Sequence, residues 1–420
     1  MAKSTKAKRP RHSSRQKRRE KNAEEMPSFR SHLRAALMTE VRQAVAVTAG
    51  ELVRAEVAEL VGAPWSRKGE NPLRRNGSCE SAIFLDGERM PMTKPRVRNA
   101  ETGEEHQLRR FEAFRSRDAL DDDVKRLLTR GVSTRNYDPA LTSLSDGTGL
   151  QKSAVSAAFV RAAKKDLDAL NGRDLADHVF TVIFIDGIQF ADITCVVALG
   201  VAEDGTKRIL GLREGATENA TLVGDLLQSL QDRDLTLSKT ALFVLDGSKA
   251  LRAAVKRMFG DRAVIQRCKL HKLRNVISYL PPGWQTEARR RLQAAWNLTR
   301  YDDAREALQG VLRWLKDHCE AAAKSLEEGF EETLTVHRLG VSGALRVTLM
   351  TTNPVESAFD GVRTKTARVK RWRDSTMVMR WAASGLVAVE KSFRRVKGFR
   401  SMPALKSALE SLDIESTSVA

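Results

Sequence analysis

Two stretches of this chain repeat one arrangement of residue types. VFTVIFIDG, residues 179–187, is a β-branched and aromatic run that stops at Asp186 and Gly187, and ALFVLDG, residues 241–247, stops in the same way at Asp246 and Gly247. Runs apolar on both faces read as buried strands, so each carboxylate is expected at the carboxyl end of a strand. If the two strands are neighbours in one sheet, the carboxylates converge, which is costly unless a divalent cation sits between them. Either Asp-Gly pair taken alone also suits an ordinary turn; the duplication favours the acidic site. TTNPVESAFDGVRTKTARVKRW, residues 351–372, supplies a third carboxylate. Thr352 or Asn353 can cap a helix there, Pro354 suits its first position, and Glu356 falls in the first turn. Arg363 follows two helical turns later, on the face that carries Glu356.

The elements that must hold these residues follow from periodicity. From His178 onward, strand 179–185, ADITCVVALGVA and KRILGLREG read as three strands joined by short connections, an antiparallel meander. TENATLVGDLLQSLQDR is a helix with Leu222, Leu226 and Leu230 on one face. Strand 241–245, helix 248–259, strand 263–267 and helix 269–280 follow, stopped by Pro281 and Pro282. Asp246 and Glu356 lie 110 residues apart, more than one helix-strand-helix step needs. Residues 283–338, rich in Ala, Leu, Arg and Glu at helical spacing, therefore read as an all-helical insertion, and residues 339–400 return to the core.

Ahead of the core, residues 1–27 are rich in Lys, Arg and Ser and read as a disordered basic arm. Leu33, Ala36, Leu37, Val41, Val45, Leu52, Val57 and Leu60 recur at helical spacing up to Pro64, and residues 74–98 alternate as a hairpin with Asn-Gly and Asp-Gly turns, so 28–117 form a helical and hairpin region. Residues 118–172 read as three short helices, with the turn SDGTG before the last. That helix offers Lys152, Ser153, Ser156, Arg161, Lys164 and Lys165 outward, which fits a helix-turn-helix; any three-helix bundle gives a similar pattern. Residues 401–420 read as a C-terminal tail.

Charge is confined to two places. Of the formal +19, residues 3–21 contribute ten Lys or Arg against Glu20, and residues 362–400 contribute twelve against Asp374 and Glu390; elsewhere the charges cancel. That pattern is a footprint for a polyanion, with a nucleic-acid backbone the expected partner. In the second segment Trp372, Trp381, Phe393 and Phe399 interleave with the basic residues, including Arg371, Arg394, Arg395 and Lys397, and imply an ordered surface. A chain of 420 residues with 41% hydrophobic content can bury two or three domains. No apolar run reaches membrane-span length, and no apolar stretch follows the basic N-terminus as in a secretory leader. Cysteines 79, 195, 268 and 319 share no tight pair spacing, so a reducing cytosol is the default compartment. Gly-x-Ser-x-Gly, Walker and dinucleotide signatures are absent, which leaves acyl transfer, NTP hydrolysis and hydride chemistry without support.

Strand-Asp, strand-Asp and helix-Glu with a basic residue two turns on resemble the DDE transposases. GATENATLVGDLL, LFVLDGSKALRAAV, IQRCKLHKLRNV and TTNPVESAFDGVR, four separated segments in order, are similar to the Mutator-type bacterial insertion-sequence transposases. The resemblance covers residues from about 70 to 400. It implies an α/β (α+β) fold: a ribonuclease-H-like catalytic core interrupted by a helical insertion and preceded by a helical DNA-binding region. It also implies an enzyme that binds the terminal inverted repeats of a mobile element, cuts there, and joins the exposed 3′-OH to target DNA. Phosphodiester chemistry of this kind uses two divalent ions about 3.5 to 4 Å apart. Mg²⁺, or Mn²⁺ in its place, suits the hard carboxylates, with Asp186 expected to bridge both ions and Asp246 and Glu356 to hold one each. The resemblance places Arg363 on DNA phosphate. Cys268-x2-His271 matches an element that the relatives share; without a second ligand pair it is not expected to bind zinc. His271, with Lys272 and Arg274, is expected to lie near the site and touch DNA, and Cys268 to pack in the core. Trp296 suits a helix core better than a base-stacking role. Two DNA ends must be brought together, so at least a homodimer on double-stranded DNA is expected, in the cytoplasm at the nucleoid. The rival readings are a retired transposase acting as a DNA-binding regulator and a ribonuclease-H-like nuclease or resolvase.

Overall fold

The computed structural model describes residues 14–65, 71–85, 88–115, 118–131, 152–215 and 220–417. The chain divides into two compact units, residues 1–127 with 132–159, and residues 128–131 with 160–420.

In the first unit, helix α1 (Ser14–Val61) places Ala49, Val53, Val57 and Val61 at intervals of four residues, one helical stripe. That stripe packs on Ile83, Met92 and Val97 of the antiparallel hairpin β1 (Leu73–Leu85) and β2 (Glu88–Asn99), and on Leu108 and Phe111 at the start of α2 (Arg109–Arg115). β3 (Glu105–His106) extends the hairpin to three strands. The buried Glu56 carboxylate accepts from the Arg109 and Arg110 amides at 2.7 and 2.9 Å, satisfying two donors at the first turn of α2. Helix α1 begins inside the expected disordered arm: residues 14–27 are helical. The expected turn at Asn76-Gly77 is a bulge within β1, where the register shifts between Arg75 and Ser78 and Gly77 takes φ +69°.

Helices α3 (Asp118–Thr129) and α4 (Lys152–Gly172) match the first and last of the three expected between 118 and 172. The expected middle helix and its turn fall in 132–151, outside the described residues, as do the side chains of Lys152 and Ser153. Ser156 and Arg161 are exposed on α4.

The second unit is mixed α/β. Its sheet contains β4 (Phe180–Phe190), β5 (Ile193–Ala202), β6 (Lys207–Gly215), β7 (Leu237–Leu245) and β8 (Ala263–Arg267), ordered β6-β5-β4-β7-β8. The meander β4–β5–β6 is antiparallel, and β7 and β8 run parallel to β4. Alternation sorts side chains between the two faces. Ile183, Ile185, Phe243 and Leu245 pack beneath α5 (Ala220–Gln231) and α6 (Lys249–Phe259). Val182, Phe184, Leu242 and Val244 point to the opposite face, covered by α7 (Lys269–Ser278) and the helices that follow. On the first face the Gly200 position touches Phe180: a Cβ there would lie 2.6 Å from the ring.

Residues 282–338 fold as α8 (Pro282–Asn297), α9 (Tyr301–His318), α10 (Glu320–Glu327) and α11 (Thr335–Arg338), the helical composition expected between the second and third carboxylates. α12 (Gly343–Leu349), α13 (Asn353–Thr366), α14 (Ser375–Glu390) and α15 (Met402–Thr417) follow. The last replaces the expected tail, because Met402, Leu405 and Leu409 repeat at helical spacing and are buried in the core. Among the described residues, no helix is long and apolar enough to cross a membrane.

Candidate active site

Parity decides which side of the sheet carries the acids. Asp186 shares a face with Val182, Phe184, Ile188 and Phe190, and Asp246 follows Leu242 and Val244 in the same alternation. β4 and β7 are paired in parallel to Ile185 and Leu245, so the next residue of each strand is Asp186 and Asp246 respectively. The two positions nevertheless differ. β4 continues through Asp186 to Phe190, paired with β5, so the expected strand end is an interior position; β7 stops at Leu245 and Asp246 lies in the turn. Gly187 and Gln189 alternate with Ile188 and Phe190, a period of two that carries the strand beyond the acid.

Asp186 is 5% exposed, and its Oδ1 accepts from the Gly187 amide at 2.9 Å. Burial raises its pKa to about 6, with the charges of Asp246 and Glu356 adding to the rise and His271 opposing it. Asp246 is half-buried, and its Oδ1 accepts from the Ser248 amide at 2.8 Å; Gly247 beside it takes φ +112°, a conformation open to glycine. Glu356, in the first turn of α13, accepts from the Thr352 hydroxyl at 3.0 Å.

The ligating atoms of Asp186, His271 and Glu356 lie within 4.8 Å of one another, a group capable of holding a metal ion. Asp246, expected as the third member, is not in that group; His271 is. His271 sits in the first turn of α7, which starts two residues after β8, and its Nε2 lies 3.8 Å from Glu356 Oε1. Its hydrogen bond to Cys268 raises its pKa to about 9 against the opposing effect of burial, and Asp186 and Asp246 push the same way. Burial pushes the buried Cys268 thiol up, but hydrogen bonds with His271 and Thr352 outweigh it and the net shift is downward.

Backbone contacts stitch the contributing elements together. The Cys268 amide donates to Leu245 O at 2.7 Å, the Lys269 amide to Met350 O at 3.0 Å, and the Thr352 amide to Cys268 Sγ at 3.4 Å. The end of β7, the start of α7 and the start of α13 are thereby fixed to one another, and α13 packs against β4 and β5. Cys268 thus packs in the core as expected.

Other expected contacts divide. Arg274, Arg371, Arg394 and Lys397 are exposed. Arg363 is exposed and pairs with Asp360 at 2.8 Å, while Arg395 pairs with Asp204 at 3.4 Å and lies over the Phe399 ring. Lys272 is a correction: it is 1% exposed, and its Nζ donates to Ser325 O at 2.6 Å, so it ties α7 to α10 and is closed to a phosphate. It directly follows His271, a helical step of about 100° that carries the side chain from the site into the core. Trp296 is likewise core, with Nε1 donating to Thr333 Oγ1 at 3.2 Å. Trp372 meets Phe190 edge-on at 5.1 Å, and Lys207 lies over Phe393 at 4.8 Å, consistent with the ordered surface that the interleaved aromatics imply.

A mixed α/β unit whose sheet gathers acids and an imidazole on one face defines a protein class with a candidate site for a divalent cation. The family is given by similarity: residues 16–395 match the model for "Transposase, Mutator family", and the chain belongs to that family. It is similar to the transposase for insertion sequence element IS6120 of Mycolicibacterium smegmatis, 27% identical over 251 residues, 58% of this chain and 76% of the relative. The transposase for IS256 in transposon Tn4001 of Staphylococcus aureus is 23% identical over 342 residues, 79% of this chain and 85% of the relative. That for ISRM5 of Rhizobium meliloti (strain 1021) is 25% identical over 376 residues, 87% and 92% of the two chains.

Proposed function

We propose that this Mutator-family transposase binds the terminal inverted repeats of its element as double-stranded DNA, cleaves there, and transfers the resulting 3′ end to target DNA, with Asp186, Asp246 and Glu356 as the catalytic carboxylates. The observation that carries the reading is the meeting of Asp186 and Glu356, 170 residues apart in the chain, on one face of a sheet. The ribonuclease-H-like reading of the core is supported by the order β6-β5-β4-β7-β8, an antiparallel meander with two parallel strands added.

The donor set fits a divalent cation. Burial, and to a lesser degree the charges of Asp246 and Glu356, raise the pKa of Asp186, the condition a cation relieves. Oxygen donors from Asp186, Asp246 and Glu356 suit Mg²⁺, and the imidazole of His271 in the same cluster also admits Mn²⁺. A bound divalent ion would supply charge neutralisation at the phosphate and a lowered pKa for the attacking oxygen. The side chains supply the rest. Thr352 orients Glu356, and Asp186 is held on its strand by burial and the Gly187 amide. His271, protonated near neutral pH, balances the acids until a cation enters. In the first step a water oxygen bonds to phosphorus and the P–O3′ bond breaks, leaving a 3′-OH. In the second that 3′-OH attacks a target phosphodiester, and the target's own 3′ oxygen departs. Two ends must act together, so the working form is a dimer or larger assembly on DNA.

The inverted repeats bounding the element supply the test substrate. On a duplex ending in that repeat, Asp186→Asn and Glu356→Gln are expected to lose Mg²⁺-dependent cleavage and keep binding. Cleavage by both variants at the parental rate would remove the site.

A further inference from the structure

Apart from the acidic cluster, the second unit has a pocket of about 570 Å³ between α13, α14 and β6. Its lining includes the cations Lys207, Lys365 and Arg394 and the hydroxyls of Ser357, Thr364 and Ser392, and no carboxylate. Proteins normally neutralise gathered cations with acids, and the same unit does so elsewhere: Arg173 pairs with Glu390 at 2.8 Å and Lys406 with Glu203 at 2.7 Å. Lys207, Lys365 and Arg394 have no ion-pair partner among the described residues. Lys207 is half-buried on β6 with its ammonium 4.8 Å from the Phe393 ring centre. Burial lowers its pKa, so the ammonium is held where water no longer solvates it fully and no protein anion replaces that water.

The walls are built to persist. Gly361 lines the pocket where α13 meets α14 so closely that a Cβ would fall 2.5 Å from Val389 Cγ2. Glu390, near the end of α14, accepts from the Ile209 amide at 2.6 Å and locks that helix to β6. A volume of this size admits a phosphodiester with its sugar. Ser357 follows Glu356 in α13, so an anion held here lies against the helix that carries the third carboxylate.

We infer that the pocket formed by Lys207, Ser357, Lys365 and Arg394 is a binding site for a backbone phosphodiester of duplex DNA, anchoring the duplex against the helix that bears Glu356. The inference rests on the DNA-acting reading above. Lys365 and the exposed Arg394 contact the phosphate oxygens, and half-buried Lys207 supplies a partly desolvated charge, for which electrostatic attraction is stronger than in bulk water.

The test uses the full chain and a duplex oligonucleotide of arbitrary sequence, with affinity measured against salt concentration. The slope of log K on log salt is expected to flatten by at least about 0.9 in the triple variant Lys207→Gln, Lys365→Gln, Arg394→Gln. The charge-retaining Lys207→Arg, Lys365→Arg pair is expected to keep the parental slope. A triple variant with parental thermal stability and parental slope overturns the inference. So does one that loses binding of inorganic phosphate, followed by ³¹P titration, while its slope on duplex DNA is unchanged, because the pocket then takes a free anion. Failure of the parental protein to bind duplex DNA at all overturns instead the DNA-acting reading.

Discussion

β4 carries Asp186 beyond the last residue it shares with its parallel neighbour and stays paired with β5 as far as Phe190, whereas β7 ends at Leu245 and releases Asp246 into the turn before α6. The two acids follow similar apolar runs, precede the same residue type and each accept from a backbone amide, yet one is buried between Phe184 and Ile188 on its face of the sheet and the other is half-exposed. Asp186 is accordingly lifted to about 6, mainly by desolvation. The sheet thus separates two tasks. A buried carboxylate attracts a cation because it has lost its water, and a turn carboxylate remains hydrated and adaptable.

The largest expected effect tests whether both tasks belong to one reaction. Asp186→Asn and Asp246→Asn are each expected to lower end cleavage by about a thousandfold or more, roughly 4 kcal/mol of barrier, in a gel assay with Mg²⁺. A normal rate for Asp246→Asn alone would leave Asp186, His271 and Glu356 as the whole site.

The next effect concerns protons. His271 is raised to about 9 and Asp186 to about 6, so a cation entering the cluster must displace protons from both. Apparent Mn²⁺ affinity, measured by calorimetry, is expected to rise from pH 6 to pH 9, and His271→Gln to flatten the upper part of that rise. In the metal-free protein the raised His271 pKa contributes stability that is full below the unfolded value of about 6.5 and is lost as pH climbs through about 9. The sign is checked by urea unfolding of His271→Gln against the parent at pH 6 and pH 9.5.

The smallest effects separate the two acids by stability. Above pH 6 the ionised Asp186 costs the metal-free fold free energy, so Asp186→Asn is expected to stabilise it by about 1 to 3 kcal/mol. Asp246→Asn keeps an oxygen for the Ser248 amide and is expected to change stability by less than about 0.5 kcal/mol. Equal shifts for the two variants in thermal unfolding would erase the distinction drawn between them.

Much of this arrangement is legible in residue order. The five strands, the meander and the helix that starts near Pro354 follow from periodicity and capping, because each is decided by neighbours a few residues away. The partner choice of Asp186 is not local. Its strand continues because Ile188 and Phe190 return to the buried face, a signal present in GIQF but masked by Gly187. The entry of His271 into the acid cluster depends on α7 beginning immediately after β8, and the Cys-x2-His spacing marks the ring without saying what it faces. Lys272 shows the limit of composition: a lysine in a basic stretch is read as exposed, and only the packing of α7 against α10 reveals it as a buried tie. The last helix is missed for the opposite reason, since Met402, Leu405 and Leu409 are spaced for burial but dispersed among small and polar residues.

The helices of residues 282–338 stand between the second and third carboxylates in the chain, and that order has a consequence for the cell. During synthesis the two aspartates leave the ribosome long before Glu356 does, and the start of α13 must then find Cys268 and close over the sheet. A polypeptide interrupted anywhere in that interval carries the strands without the closing acid. Any chemistry that needs all three carboxylates therefore waits until translation is nearly finished.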